Sequence, residues 1–185
     1  MSLCGIDEAG RGPIAGDLVV AGCILNEGFV AEGLSDSKKL SEKKREALYE
    51  PIVNNSKYHI VIISPQKIDS DGISVCMQEA LEEIKQKLQA QNYLFDGNTT
   101  FGVEGLETMV KADGKVAEVS AASILAKVTH DRNIIRDAKE YPEYGFEKHK
   151  GYGTKEHVAQ IKEHGYCPIH RRSFKLKALE PTLFD

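Results

Sequence analysis

The stretch GIDEAGRGPIAG, residues 5–16, narrows the possible folds more than any other part of the chain. Leu3 and Ile6, set among small residues, predict a short strand that ends on two adjacent carboxylates, Asp7 and Glu8. Gly10 and Gly12 free the backbone from side-chain bulk, so amide N–H groups there can approach a ligand closely. Residues 17–25, DLVVAGCIL, form an apolar run of strand length. Paired with residues 2–8 they give a β-hairpin whose long turn is the Gly-Arg-Gly loop. An acidic pair leading into Arg11 and open amides suits a metal ion beside a phosphate ester. A strand, a turn and solvated charges would explain the pair equally well if it stood alone.

Two other readings of the same letters fit less well. Gly10, Gly12 and Gly16 approach a dinucleotide-binding fingerprint, but the third glycine falls one residue late. Two carboxylates would also repel a pyrophosphate unless a cation intervened. The sugar-kinase and actin-like ATPases begin with a comparable strand and Asp, yet they need two lobes, and 185 residues are too few.

That length predicts one domain, residues 1–185, with a core of its own. There is no run of about 18 apolar residues to span a membrane. The start, MSLCGIDEAG, has no basic segment or apolar stretch of a secretory signal. Cys4, Cys23, Cys76 and Cys167 are scattered without a C-x-x-C pair, as expected for reduced thiols of a cytoplasmic protein. The net charge of −4 is unevenly spread, because residues 145–177 hold eight Lys or Arg against three acids. Four of the six histidines share that segment. Such a face can dock a polyanion in spite of the acidic total, although solvated surface explains it too.

Further along, Ser41 predicts an N-cap for a charged helix from Glu42 that Pro51 ends or kinks. Ser37, Lys38 and Lys39 just before it are candidate phosphate contacts. YHIVII, residues 58–63, reads as a buried strand, and Asp71 as the cap of a long helix with an apolar stripe through Ile73, Met77, Leu81, Ile84 and Leu88. Residues 93–95 predict a strand ending at Asp96 and Gly97, where a carboxylate is well placed to face a site. A helix over 116–139 sets Ser120, Ser123, Lys127 and Asp131 on one narrow face of an otherwise small and apolar surface. Such a stripe needs hydrogen-bonding partners or a site to face. In the loop 144–157, Tyr152 lies between two glycines, exposed for stacking on a sugar or base, before a helix near 155–164.

Taken together, GIDEAGRGPIAG, DSKKLS at 36–41, FDG at 95–97, SAASILAKVTHD at 120–131 and HKGYGT at 149–154 resemble ribonuclease HII, the type 2 ribonuclease H, in matching order over nearly the whole chain. The resemblance implies an α/β fold, a ribonuclease H-like mixed β-sheet flanked by helices, with a helical C-terminal part. It implies an acidic quartet on Asp7, Glu8, Asp96 and Asp131 holding two divalent ions, Mg²⁺ or Mn²⁺. Asp7 and Asp96 would lie nearest both ions. Gly10, Arg11 and Gly12 would hold the phosphate and the ribose 2′-OH, with Ser120 and Lys127 as further substrate contacts. Tyr152 would sense the RNA–DNA junction. The implied activity is hydrolysis of RNA in RNA/DNA hybrids and 5′ of single ribonucleotides in duplex DNA, leaving 3′-OH and 5′-phosphate. A hybrid-binding module that does not cut is the alternative.

His130 departs from the Arg that the family commonly has before the last Asp. The related ribonuclease HIII, with its extra N-terminal domain, is disfavoured because Asp7 lies so near the start. Residues 180–184, EPTLF, resemble the pentapeptide that grips the bacterial sliding clamp at their Leu-Phe end only, and packing back onto the domain is the competing expectation. A monomer is expected.

Overall fold

A computed structural model describes residues 2–30, 33–34 and 40–176. Five strands form one mixed sheet: β1 (Leu3–Ala9), β2 (Leu18–Leu25), β3 (Ser56–Ile63), β4 (Asn92–Asp96) and β5 (Glu107–Met109), in the order β3-β2-β1-β4-β5. β1 pairs antiparallel with β2, so the expected hairpin is present, and β2 pairs antiparallel with β3. β1 and β4 run parallel with Ile6 opposite Phe95, which brings Asp7 and Asp96 to the same ends of neighbouring strands. The sheet flanked by helices is the predicted fold class.

The helices are α1 (Glu42–Asn54), α2 (Pro65–Asp71), α3 (Ile73–Lys87), α4 (Ala117–Glu140), α5 (Phe146–His149) and α6 (Lys155–His164). Side-chain alternation along β1 and β2 feeds two cores. Cys4, Ile6, Leu18 and Val20 pack with Met77, Leu81 and Ile84 of α3 on one face. Val19, Ala21 and Cys23 meet Ala121, Ala122 and Leu125 of α4 on the other. Full burial of each large aliphatic side chain contributes about 1.5–3 kcal/mol. α4 lies directly on β1, because Gly5 has no side chain: a Cβ there would sit 2.3 Å from the backbone of Glu118 and Val119. None of the described helices is long and apolar enough to cross a membrane.

Several local expectations are corrected. Pro51 lies inside α1, which runs on to Asn54. Ile52 is fully buried, and Asn55 Nδ2 and Ser56 Oγ donate to the carbonyls of Pro51 and Ile52, so packing and capping outweigh the lost amide. β3 is an edge strand with Tyr58 and Ile62 exposed, not a buried one. Asp71 closes α2 and pairs with Lys67, while Gly72 begins α3. β5 and α5 were not apparent as separate elements. The four cysteines are free and buried, as scattered thiols should be.

Candidate active site

The cleft opens where β1 and β4 end. Asp7, Glu8, Gly10, Arg11, Gly12, Arg45, Asp96, Asp113, Ser123, Lys127 and Tyr152 line it, around a volume of about 450 Å³. Asp7 Oδ1 accepts the amide of Glu8 at 2.8 Å, and Ser123 of α4 bonds the same carboxylate. Asp96 accepts the amides of Lys111 at 3.0 Å and Asp113 at 3.1 Å. That grip folds residues 110–114 back over the strand end and sets the Asp113 side chain beside Asp96. One carboxylate oxygen each from Asp7, Asp96 and Asp113 then lie within 4.8 Å of one another.

Electrostatics follow from this crowding. Burial, then the charges of Glu8 and Asp96, push the Asp7 carboxyl well above the usual carboxylate range. Glu8 is also raised by burial and by Asp96, against the pull of Arg11, whose Nη2 lies 2.6 Å from Glu8 Oε1. Glu8 Oε2 is buried and has no hydrogen-bond partner among the described residues. Several acids converging with an unsatisfied oxygen are suited to hard cations, whose charge offsets the repulsion. The donor set therefore fits Mg²⁺ or Mn²⁺.

Of the polar stripe on α4, Ser123 and Lys127 reach the cleft and the two ends do not. Ser120 is fully buried and donates its hydroxyl to the carbonyl of Leu34, so it ties a neighbouring segment down and has no access to a substrate. Asp131 stands outside the carboxylate group. It accepts Lys127 Nζ at 2.9 Å and faces His130 Nδ1 at 3.0 Å. Burial pushes its carboxyl up, but the hydrogen bonds from His130 and Lys127 outweigh this and leave it below the usual range. In position, the carboxylate beside Asp7 and Asp96 is Asp113. Asp113 lies in Lys-Ala-Asp-Gly, which matches no motif read from the sequence, and its one signal is that the chain must pass the strand ends to enter α4.

The glycine loop is held from behind by Arg171, a residue the sequence presented only as one more positive charge. Its guanidinium is 1% exposed. It donates to the carbonyls of Gly16 at 3.0 Å, Arg11 at 3.1 Å, Pro13 at 2.8 Å and Gly10 at 2.6 Å. In a planar trans peptide, a carbonyl turned one way turns the next amide the other. Arg171 thereby directs the amides of Arg11 and Gly12 away from itself, on the side where the loop lines the cleft. Gly10 is required as glycine: its φ is +87°, and a Cβ would lie 2.5 Å from His130 Cδ2. His130, the departure from the usual Arg, fills the space under this loop.

Tyr152 stands on the rim, 46% exposed, with its ring against Gly12. Arg45 is a further cleft cation that sequence reasoning missed. Ser37, Lys38 and Lys39 lie outside the described residues, as does the tail from residue 177.

Comparison with known proteins gives matches over nearly the whole chain. The family model for ribonuclease HII matches residues 4–177. A ribonuclease HII from Sulfurovum sp. (strain NBC37-1) is 61% identical over 183 residues, covering 98% of this chain and 96% of that protein. Among solved structures, the PCNA:RNase HII complex from Archaeoglobus fulgidus superposes with a TM-score of 0.79 at 28% identity, covering 100% of this chain and 99% of that one. The ribonuclease H2 from Pyrococcus horikoshii OT3 gives 0.76 at 28% identity, covering 95% and 94%.

Proposed function

The chain belongs to the ribonuclease HII family, and from that premise we propose that it is a metal-dependent endonuclease working as a single catalytic domain, monomeric and cytoplasmic. Its substrates are the RNA strand of RNA/DNA hybrids and single ribonucleotides embedded in duplex DNA, cut on their 5′ side to leave 3′-OH and 5′-phosphate. The observation that carries this reading is the group of Asp7, Asp96 and Asp113 beside a loop whose amides are turned outward.

Asp7, Asp96 and Asp113 would hold the divalent ions, with Glu8 completing the set through its unsatisfied oxygen. When bound, a pair of such ions activates water and stabilises the departing oxygen of a phosphodiester. The protein's own part is positioning. Arg11, Lys127 and Arg45 supply positive charge for the phosphate, while Asp131 holds Lys127 in place. The amides of Arg11 and Gly12 read the 2′-OH, the group that separates RNA from DNA. Tyr152 packs on the following deoxyribose, and a 2′-OH on that sugar would crowd the ring.

The test is a duplex with one embedded ribonucleotide, with Mg²⁺ and with EDTA. Mg²⁺-dependent cutting on the 5′ side of the ribonucleotide is expected. Tight binding without cutting would instead make the protein a hybrid-binding module. We also propose that residues 180–184 bind a sliding clamp, since the Archaeoglobus relative is described in complex with PCNA. Clamp binding that survives deletion of residues 180–185 would refute that role.

A further inference from the structure

The mechanism uses none of the six histidines, yet three of them gather behind Tyr152, and two of these form a chain that ends on its backbone. His170 Nδ1 lies 2.9 Å from the amide of Cys167, and that amide can only donate. His170 in its neutral form must therefore carry its hydrogen on Nε2, which lies 2.9 Å from His157 Nε2. His157 must accept there and carry its own hydrogen on Nδ1, 2.9 Å from the Tyr152 carbonyl, which can only accept. A fixed donor at one end and a fixed acceptor at the other leave a single arrangement: both rings neutral, every bond made. His157 is fully buried and His170 is 2% exposed. A proton added to either ring would set two hydrogens face to face, in keeping with both groups being pushed down to about 4, chiefly by burial.

The third histidine completes the grip. His149 Nδ1 accepts the Gly151 amide at 3.2 Å, so its Nε2 donates to the Tyr144 carbonyl at 2.8 Å, and its ring stacks on His157 at 4.3 Å between centroids. The Gly151 carbonyl accepts Ile14 N at 2.9 Å, which ties this loop to the loop that lines the cleft. Tyr152 has a half-exposed ring that meets Gly12 of the glycine loop. Its backbone is held at both ends, its amide by the His149 carbonyl at 3.0 Å and its carbonyl by His157 and the Thr154 amide.

We propose that His157 and His170 are positioning residues that fix Tyr152 against the glycine loop and so set the preference for an RNA–DNA junction over continuous RNA. This rests on the reading of Tyr152 as the junction sensor, and the test separates the two. His157→Leu removes the side-chain donor to the Tyr152 carbonyl and leaves it only the Thr154 amide at 2.8 Å, whereas His157→Asn places an amide N–H where Nδ1 was. The leucine variant should lower the ratio of kcat/KM at a single ribonucleotide to kcat/KM within a hybrid by about fivefold, the factor one buried hydrogen bond carries, and the asparagine variant should keep it. In a Tyr152→Ala background the leucine substitution should change that ratio no further.

The chain has no tryptophan, so the indole of Tyr152→Trp is the only one and, excited to the red of the tyrosine band, its anisotropy reads the order of this loop without any substrate. It should fall with His157→Leu and hold with His157→Asn. If the leucine chain does not fold, His170→Asn keeps the Cys167 amide bonded and removes only the donor to His157, which reads the same chain. Equal losses on both substrates, a loss that persists in the Tyr152→Ala background, or an indole equally ordered in all variants would overturn the proposal. If Tyr152→Ala leaves the ratio unchanged, the sensor reading fails, and the anisotropy alone decides whether the histidines hold the loop.

Discussion

Replacing Asp7 by Asn should stabilise the metal-free protein, at the cost of its response to metal. Three carboxylate oxygens within 4.8 Å set the scale. Each charge pair at that distance costs roughly 3.5 kcal/mol at an effective dielectric of 20, so Asp7 with two neighbours would suffer roughly 7 kcal/mol. Proton uptake caps that cost. Neutralising one carboxyl of ordinary pKa 3.8 at pH 7 takes only about 4 kcal/mol, and the raised Asp7 carboxyl follows that route. Asn keeps the acceptor for the Glu8 amide and removes the charge. The expected gain in EDTA at pH 7 is therefore about 2–4 kcal/mol, or about 5–10 °C in Tm for a chain of this size.

The pH dependence supplies a second check. Asp7 has a folded pKa above its unfolded one, so the folded state holds more protons between the two values, and wild-type stability falls as pH rises through that window. The advantage of Asn should accordingly be full above the folded value and vanish below about pH 4. Saturating Mn²⁺ should reverse the ranking, because ligand binding stabilises only the chain that binds it. Thermal unfolding in EDTA and in Mn²⁺ from pH 4 to 8 tests all three. An Asn variant no more stable than wild type in EDTA at pH 7 would refute the crowding argument.

Asp113→Asn should cut Mg²⁺-dependent cleavage by more than about 100-fold and weaken Mn²⁺ binding by calorimetry, whereas Asp131→Asn should leave metal affinity near normal and cost about tenfold through Lys127. The reverse order would restore Asp131 as the ligand. Arg171→Lys keeps the charge but loses the planar fork, so about 2–3 kcal/mol of stability and most of the cleavage should go while calorimetric metal affinity stays. Cleavage at the wild-type rate would show that the loop needs no such support. His157 and His170, ordinarily near 6.5, are pushed down to about 4 in the fold, so their contribution is complete above pH 6.5 and is lost as pH falls towards 4. In an Asp7→Asn background, which removes that carboxylate's opposing trend, the two histidines together should lower stability between pH 7 and 4.5 by roughly 5 kcal/mol, less what the raised Glu8 and Asp17 carboxyls return, and Tm should drop accordingly. A flat Tm would refute the neutral chain.

Much of this site is written in short stretches. Asp7, Glu8 and Asp96 each end a strand whose apolar residues announce it, and strand ends are where a sheet opens to a ligand. Gly10, Arg11 and Gly12 are legible because a glycine-punctuated loop has few other uses so near two acids. α6 begins and ends at its predicted residues, since Thr154 caps it and Gly165 stops it. β3 was misjudged because four consecutive aliphatic residues look the same at the edge of a sheet as at its centre.

Local geometry is legible without the fold: which segments are strands or helices, and which side chains share a face. A 3.6-residue period gives direction around a helix but not position along it. Ser120 and Asp131, eleven residues apart on one stripe, are separated by roughly 16 Å along the axis, too far to serve one compact site. Only the packing of α4 on Gly5 decided that Ser123 and Lys127 reach the cleft while Ser120 and Asp131 do not. The partners of Arg171 and His170 were equally hidden. They lie on segments more than 150 residues away for the arginine and 13 for the histidine, and a hydrogen bond between distant segments leaves no periodic mark on either one.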